Sequence, residues 1–483
     1  MEKFFVTTAI DYVNAPPHIG HALEKIQADV LARLHRQKSE EVFFLTGADE
    51  HGTKIFKAAR EAGKEPQRFV DEMSEKFKEL KQALNLSWDD FLRTTDKNRH
   101  WPAVFEIWKR IRNNGDIEKR KYQGLYCVGC EAFKNPKELV DAKCPEHLTE
   151  PEQIEEENYF FKLSKYAGEI ESRIKSDELK IIPESRKNEI LSFINRGVND
   201  ISVSRPKEKL AWGIPAPDDE SQIIYVWIDA LTNYISALGF GSKDAKNFEK
   251  FWPADVHFVG KDILRFHAVI WPGMLLSAGL PLPKTIFAHG FITVGGQKMS
   301  KSLGNIVSPF ELAEKYGADA VRYYLLREVS AYEDGDFTEE KFKERYNGDL
   351  ANGLGNFCAR VLTLAQGDTN IQTYANDTNV NKKIKETTEV VDKKLEEFKF
   401  NEALAAIWDL ISFGDNYVNI TEPWHAVEPG RTRALVNLIY LLENVAQLLM
   451  PFLPQTSEKI FGSIVKTDKT LQIKKGGILF PRV

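Results

Sequence analysis

The chain has 483 residues, 42% hydrophobic and 28% charged, a balance that excludes an intrinsically disordered protein. Its net charge of −6 argues against a protein coated by nucleic acid but leaves room for a local basic face. That length calls for two or three domains, and no stretch approaches the apolar length that spans a membrane.

Met1-Glu2-Lys3 runs straight into strand-like residues, without a charged n-region, apolar h-region or Arg-rich presequence, so a cytosolic protein is expected. Phe4 to Ala9 is apolar and β-prone, and Asn14-Ala15-Pro16-Pro17 is turn chemistry. Ile19, Ala22, Leu23, Ile26, Val30 and Leu34 then recur at helical spacing, and Val42 to Leu45 reads as a buried parallel strand. Together they predict a βαβ unit, right-handed by default. Pro17-His18-Ile19-Gly20-His21 sits where the first strand turns into the helix. Backbone N–H groups there attract phosphate, two histidines can donate to phosphate oxygens, and Gly20 lets a flat base or ribose approach the backbone. From these residues alone, two histidines that merely cap a helix are an equal alternative.

Four cysteines, three of them within eighteen residues, favour a metal site in a reducing compartment over a disulfide framework; Cys358 stands alone as a core residue. Cys127-x-x-Cys130, followed after thirteen residues by Cys144-Pro145-Glu146-His147, offers three thiolates and one imidazole at knuckle spacing, suited to a closed tetrahedral Zn²⁺ site. The alternative is free thiols and a surface histidine. Strand-like runs return at Ile223 to Trp227, Val256 to Val259 and Thr285 to Ala288, separated by helical patterns such as Ile263 to Leu276. They read as the second half of one doubly wound sheet, interrupted by roughly a hundred residues that contain the cysteines. Gly295-Gly296-Gln297-Lys298-Met299-Ser300-Lys301-Ser302 follows as a glycine-hinged loop whose cations can close over phosphates. From about Thr338 strand signals vanish and helical patterns take over, at Asn347 to Leu364, Lys382 to Glu397 and Arg431 to Met450. Asn352, Asn356 and Arg360 fall four apart and share a helix face.

His18 to His21 on the first βα turn and Lys298 to Ser302 after a late strand together resemble the class I aminoacyl-tRNA synthetase signature. Thr8 to Asn14, Gly47 to Thr53, Tyr225 to Ala230, and Phe258 to Ile263 with Phe266-His267 look like segments of the methionyl-tRNA synthetase family, and the resemblance runs from Phe5 to about Glu428. It implies an α/β fold: a doubly wound, Rossmann-like catalytic domain with a zinc-knuckle insertion, followed by an α-helical anticodon-binding domain. The expected divisions are 1–115 and 221–292 for the catalytic halves, 116–220 for the insertion, 293–337 for the lysine loop and stem-contact region, and 338–483 for the helical domain.

By that resemblance the chain joins L-methionine to tRNA(Met), initiator and elongator, through methionyl-adenylate and pyrophosphate. His18, His21, Lys298 and Lys301 are the expected catalytic residues; Gly20, Glu24, Lys261, Asp262 and Ser300 complete the site for ATP, taken with Mg²⁺. Ile10, Tyr12, Trp227 and His267 line the methionine side chain and Asp49 pairs with its ammonium; an aromatic pocket suits a polarisable thioether, and one carboxylate a buried ammonium. Asp262 alternatively caps a helix, and Glu24 alternatively is an exposed first-turn carboxylate. The resemblance also makes Cys127, Cys130, Cys144 and His147 a structural zinc knuckle, and Asn352, Asn356, Arg360 and Trp424 the anticodon site. Without it, the polar trio reads as a solvated face and Trp424 as core. Ala9 and Asp11 depart from the family, which often has proline at the first position and tyrosine or proline at the second.

Isoleucyl, valyl and leucyl enzymes carry an editing insertion larger than this interruption holds, and cysteinyl enzymes use an active-site zinc. A tRNA-recruiting protein without catalysis is disfavoured by the intact histidines and lysines. The chain ends soon after the helical domain, which favours a monomer.

Overall fold

The computed structural model describes residues 2–129, 132–134, 136, 139–145, 148–299, 304–366, 377–466, 471–474 and 477–483. Cys130, His147, Ser300 and Lys301 lie outside them. The chain forms two compact units, one of Met1–Pro16, Ser39–Glu79 and Trp88–Ala288, the other of Pro17–Lys38, Leu80–Ser87 and His289–Val483. No helix among the described residues is long and apolar enough to cross a membrane.

The first unit is built on a sheet containing β1 (Lys3–Thr8), β2 (Asp11–Tyr12), β3 (Glu41–Asp49) and β4 (Asp90–Arg93). β1 pairs in parallel with β3 on one side and with Val256–Gly260 on the other; Thr285–His289 follows and pairs in parallel with Lys180–Ile182. β2 and β4 both pair in parallel with β3. Phe5, Leu45, Val259 and Ile286 from these strands pack with Val104, Trp108 and Trp271 from helices, which bury the apolar side chains of the parallel strands. A four-stranded antiparallel sheet is formed by Ile117–Cys127, Ala132–Lys134, Glu152–Phe161 and Ile201–Ser202.

Two segments of this unit differ from their sequence reading. The expected strand Ile223 to Trp227 divides: Asp219–Ile224 is the middle strand of a separate antiparallel sheet, and Val226–Leu231 is helical. A short apolar run reads alike as buried strand or buried helix, so periodicity cannot locate the break. Lys180–Ile182 lies within the stretch read as insertion, yet it is an edge strand of the parallel sheet.

In the second unit α1 (Ile19–Gln37) is buried around most of its circumference over its first fourteen residues, polar side chains included. Asp29, within that stretch, is fully satisfied: Arg33 Nε and Arg322 Nη1 each lie 2.7 Å from Oδ2, and Ser87 donates twice to Oδ1. Arg322 also donates to the carbonyls of Pro451 and Phe452. The helices Thr378–Glu396, Phe400–Thr421, Gly430–Leu449 and Pro454–Gly462 follow, as the helical pattern predicts. Tyr346–Gly355 is a π-helix running into the α-helix Asn356–Ala365, and a two-stranded ribbon, Ile464–Lys466 with Leu471–Ile473, comes late where only helices were expected.

Candidate active site

Ile10, Tyr12 and Asp49, expected around methionine, are brought together in the first unit by its parallel sheet. Parallel pairing sets Tyr12 beside Asp49, and Val13 N–H donates to the Asp49 carbonyl at 3.2 Å. Ile10 packs where Gly47 lacks a side chain: a Cβ there would lie 2.8 Å from Ile10 Cγ2 and 2.2 Å from the Leu92 carbonyl oxygen. Asp49 is buried, and Lys54 Nζ lies 5.7 Å from the centre of the Tyr12 ring.

Trp227 stacks on Phe266, with ring centroids 3.6 Å apart and planes 16° from parallel. The next residue, His267, lies in the π-helical turn Phe266–Ile270 and donates through Nδ1 to the Ile263 carbonyl at 2.9 Å. Burial pushes His267 down to about 4, so the ring is neutral at pH 7 and its Nε2 lone pair accepts the Tyr234 hydroxyl at 2.7 Å. The Tyr234 ring lies 4.2 Å from that of His257, whose Nδ1 meets Thr7 Oγ1 at 2.7 Å. Lys261 and Asp262 follow the strand Val256–Gly260 in the 3₁₀ turn Lys261–Ile263. The capping position there is Gly260, which removes the N-cap alternative for Asp262.

His18, Gly20, His21, Glu24 and Lys298, expected on the phosphate side, belong to the second unit. His18 caps α1: its Nδ1 accepts from Gly20 N–H at 3.1 Å, and its own N–H donates to His21 Nδ1 at 3.1 Å. Both Nδ1 atoms are therefore acceptors, which leaves the proton of each neutral ring on Nε2. Loss of hydration pushes both rings down to about 3, aided by His21 acting on His18 and by Lys25 acting on His21. They are uncharged donors at neutral pH. A Cβ at Gly20 would stand 2.9 Å from His18 Cε1, so the folded-back ring requires glycine there.

The lysine loop begins as a hairpin, Ile292–Val294 against Gln297–Lys298, turned by Gly295 and Gly296 at φ 59° and 74°. Asp336 anchors the turn by accepting from Gly296 N–H and Thr293 Oγ1, both at 2.8 Å. Lys298 is exposed. Met299 reaches the other motif: its Cε would be 3.8 Å from a Cβ at Gly20. Beyond the loop, the Val307 carbonyl accepts Ile19 N–H at 3.1 Å. Glu24 is buried rather than exposed, and its carboxylate accepts from His289 Nε2 at 2.9 Å.

Asn352 and Asn356 are exposed and Arg360 is half-buried. Arg482 donates to Asn352 Oδ1 at 2.8 and 3.0 Å, while Arg360 donates to Asp415 and to Asn419, each at 2.8 Å. Trp424 is 49% exposed, so it is not a core residue. In the insertion, Cys127 ends a strand, Cys144 opens a turn closed by Leu148 N–H on its carbonyl, and both are buried.

Sequence reasoning missed Tyr234, Phe266 and His289. Tyr234 lies seven residues after Trp227, a two-turn helical spacing that was available as a signal. Phe266 adjoins His267, and its ring carries no local signal of its own, while the Glu24–His289 pair spans 265 positions, for which a single sequence carries no sign.

The profile of tRNA synthetases class I (M) matches residues 4–362, and that of the anticodon-binding domain of tRNA ligase matches 377–475. A methionine–tRNA ligase of Thermotoga maritima is 42% identical over 99% of this chain and 78% of its own length. One from Thermosynechococcus vestitus is 43% identical over 95% of this chain and 90% of its own. The structure of Mycobacterium tuberculosis methionyl-tRNA synthetase in complex with methionyl-adenylate superposes with a TM-score of 0.93 at 38% identity, covering all of both chains.

Proposed function

The chain belongs to the class I tRNA synthetases and is a methionine–tRNA ligase, and on that premise we propose which of its residues carry the reaction. The methionine carboxylate attacks the α-phosphorus of ATP, the bond to the β-phosphate breaks, and methionyl-adenylate and pyrophosphate result. A hydroxyl of the 3′-terminal adenosine of tRNA(Met), initiator or elongator, then attacks the carbonyl carbon and AMP leaves. The protein contributes positioning and charge stabilisation, without a covalent nucleophile.

Asp49 takes the ammonium, and Ile10, Tyr12, Trp227 and His267, with Phe266 and Tyr234, form the side-chain pocket. Neutral aromatic faces suit a thioether, and His267, held uncharged, adds no desolvated cation. His18 and His21 donate Nε2–H to phosphate oxygens as charge develops, without the cost of burying positive charge in the free enzyme. Lys298, Ser300 and Lys301 act on the departing pyrophosphate; Gly20, Glu24, Lys261 and Asp262 serve the nucleoside; ATP enters with Mg²⁺. Asn352, Asn356, Arg360 and Trp424 meet the anticodon, whose splayed bases are read by polar edges and aromatic faces. Cys127, Cys130, Cys144 and His147 would hold a structural Zn²⁺ with no position open to water, a reading that the burial of Cys127 and Cys144 supports.

The observation that carries the catalytic assignment is the meeting of the two signature segments, Met299 against Gly20 and Val307 against Ile19. The test is ATP–pyrophosphate exchange with each of the twenty amino acids: methionine alone should support it at low concentration. Equal exchange with leucine would overturn the pocket assignment.

A further inference from the structure

The chain leaving β3 carries Asp49, Glu50 and His51 in succession, and the last two are held by separate buried networks. Glu50 accepts from Arg93 Nε at 2.6 Å and from the hydroxyls of Ser74 and Thr95, while its N–H donates to Thr94 Oγ1 at 2.9 Å. His51 Nδ1 lies 2.7 Å from Asp229 Oδ2, and His100 Nε2 lies 2.7 Å from Asp229 Oδ1. His100 Nδ1 meets Ser236 Oγ at 2.8 Å. His51, His100, Asp229 and Ser236 are each at most 3% exposed. Burial alone would raise the Asp229 carboxyl, but the two imidazoles outweigh it and hold the carboxyl below its usual range. The carboxylate thus accepts one N–H on each oxygen.

Asp229 lies two residues beyond Trp227 on the helix Val226–Leu231, and His51 lies two residues beyond Asp49. One carboxylate therefore joins the segment proposed to hold the methionine ammonium to the helix proposed to hold its side chain, through one short bond of fixed direction. Apolar packing would tolerate sliding at this contact; a hydrogen bond weakens steeply once its angle falls below about 120° and is lost by about 3.6 Å. His100, on the helix Trp101–Asn113's leading edge, braces the carboxylate from its other side.

We infer that Asp229, acting through His51 and His100, is a positioning residue that sets the distance between the ammonium-binding and thioether-binding sides of the methionine site. The inference rests on the reading of Asp49 and Trp227 given above. Its consequence is selective: loosening the network weakens methionine binding and leaves ATP binding alone. A residue that served stability only would, when changed, lower the active fraction and hence kcat, with both KM values unmoved.

Steady-state pyrophosphate exchange on purified Asp229→Ala, Asp229→Asn, His51→Ala, His51→Asn and Asp49→Asn tests this. Asp229→Ala should raise the KM for methionine about tenfold or more, with the KM for ATP within about twofold of wild type. Asp229→Asn can accept from one imidazole and, after a tautomer change, donate to the other, so it should recover most of the loss. His51→Asn keeps a donor at the Nδ1 position and should likewise recover most of the loss caused by His51→Ala, a comparison that stands if Asp229→Ala does not fold. Unchanged methionine KM in both alanine variants, or equal shifts for methionine and ATP, would overturn the inference. Unchanged methionine KM in Asp49→Asn would instead overturn the reading on which it rests.

Discussion

At Gly20, a single added carbon would collide with the His18 ring at 2.9 Å and break the Gly20 N–H to His18 Nδ1 bond that orients it. Gly20→Ala should therefore lower kcat for pyrophosphate exchange about tenfold or more, with the KM for methionine little changed, measured by initial rates. The same geometry makes a pH prediction. His18 and His21, held near 3, remain neutral from pH 8 to about 5, so neither should contribute an inflection near the ordinary histidine value to the exchange rate. An inflection near 6.5 that disappears in His21→Asn would contradict the locked Nε2–H tautomers. Glu24 and His289 illustrate the limit of reading residues singly: the carboxylate is recognisable as a first-turn feature, but its burial and its partner are set by a strand far along the chain.

At the scale of elements, the site depends on how helices and turns present their ends. Trp424 projects from the turn after Phe400–Thr421, where Glu422 takes a left-handed conformation at φ 39° and turns the chain out of the helix. Trp424→Ala removes a stacking surface worth about 1–3 kcal/mol per base, so tRNA charging should fall about tenfold or more while tRNA-independent exchange stays near wild type. Equal losses in both reactions, at one fixed salt concentration, would remove it from the anticodon site. Arg360 is oriented by Asp415 and Asn419, so Asp415→Ala should weaken charging in the same selective way, by freeing a guanidinium that is otherwise aimed. The insertion carries its own prediction: elemental analysis of protein purified without chelator should find about one zinc per chain, and less than about a tenth of that would exclude the knuckle.

For the molecule as a whole, the buried pair Asp29–Arg322 joins α1, whose cap and first turn carry the two histidines, to the carbonyls of Pro451 and Phe452 just beyond the helix Gly430–Leu449. Arg322→Met strands Asp29 with fewer partners, and breaking such a pair typically costs about 3–5 kcal/mol, to be read as a lowered urea midpoint. Stability should also fall on mild acidification. The unfolded chain protonates His18 and His21 near 6.5 while the folded chain resists until about 3, so between these values the unfolded state binds more protons. Each group then costs roughly 1.4 kcal/mol per pH unit as pH falls through that window. The carboxylates Asp219 and Glu339, held near 2 by hydrogen bonds to lysines, add to the loss only below their ordinary unfolded range. Urea midpoints at pH 7, 6 and 5 check the sign.

Local chemistry is what a sequence carries by itself. It determined the signature histidines and the start of the lysine loop, the β1–α1–β3 order and the long helices after Thr378, because each depends on residue type within one or two turns of chain. Three things were decided only by tertiary structure. The run at Ile223 to Trp227 became part strand and part helix, since burial on all sides erases the periodicity that separates the two. Lys180–Ile182 joined the parallel sheet from within the insertion, because strand pairing is a contact between distant segments. The protonation of His18, His21 and His267, and the joining of His51 to Asp229 across 178 positions, arise from desolvation and from donors and acceptors that only folding brings within 3 Å or so.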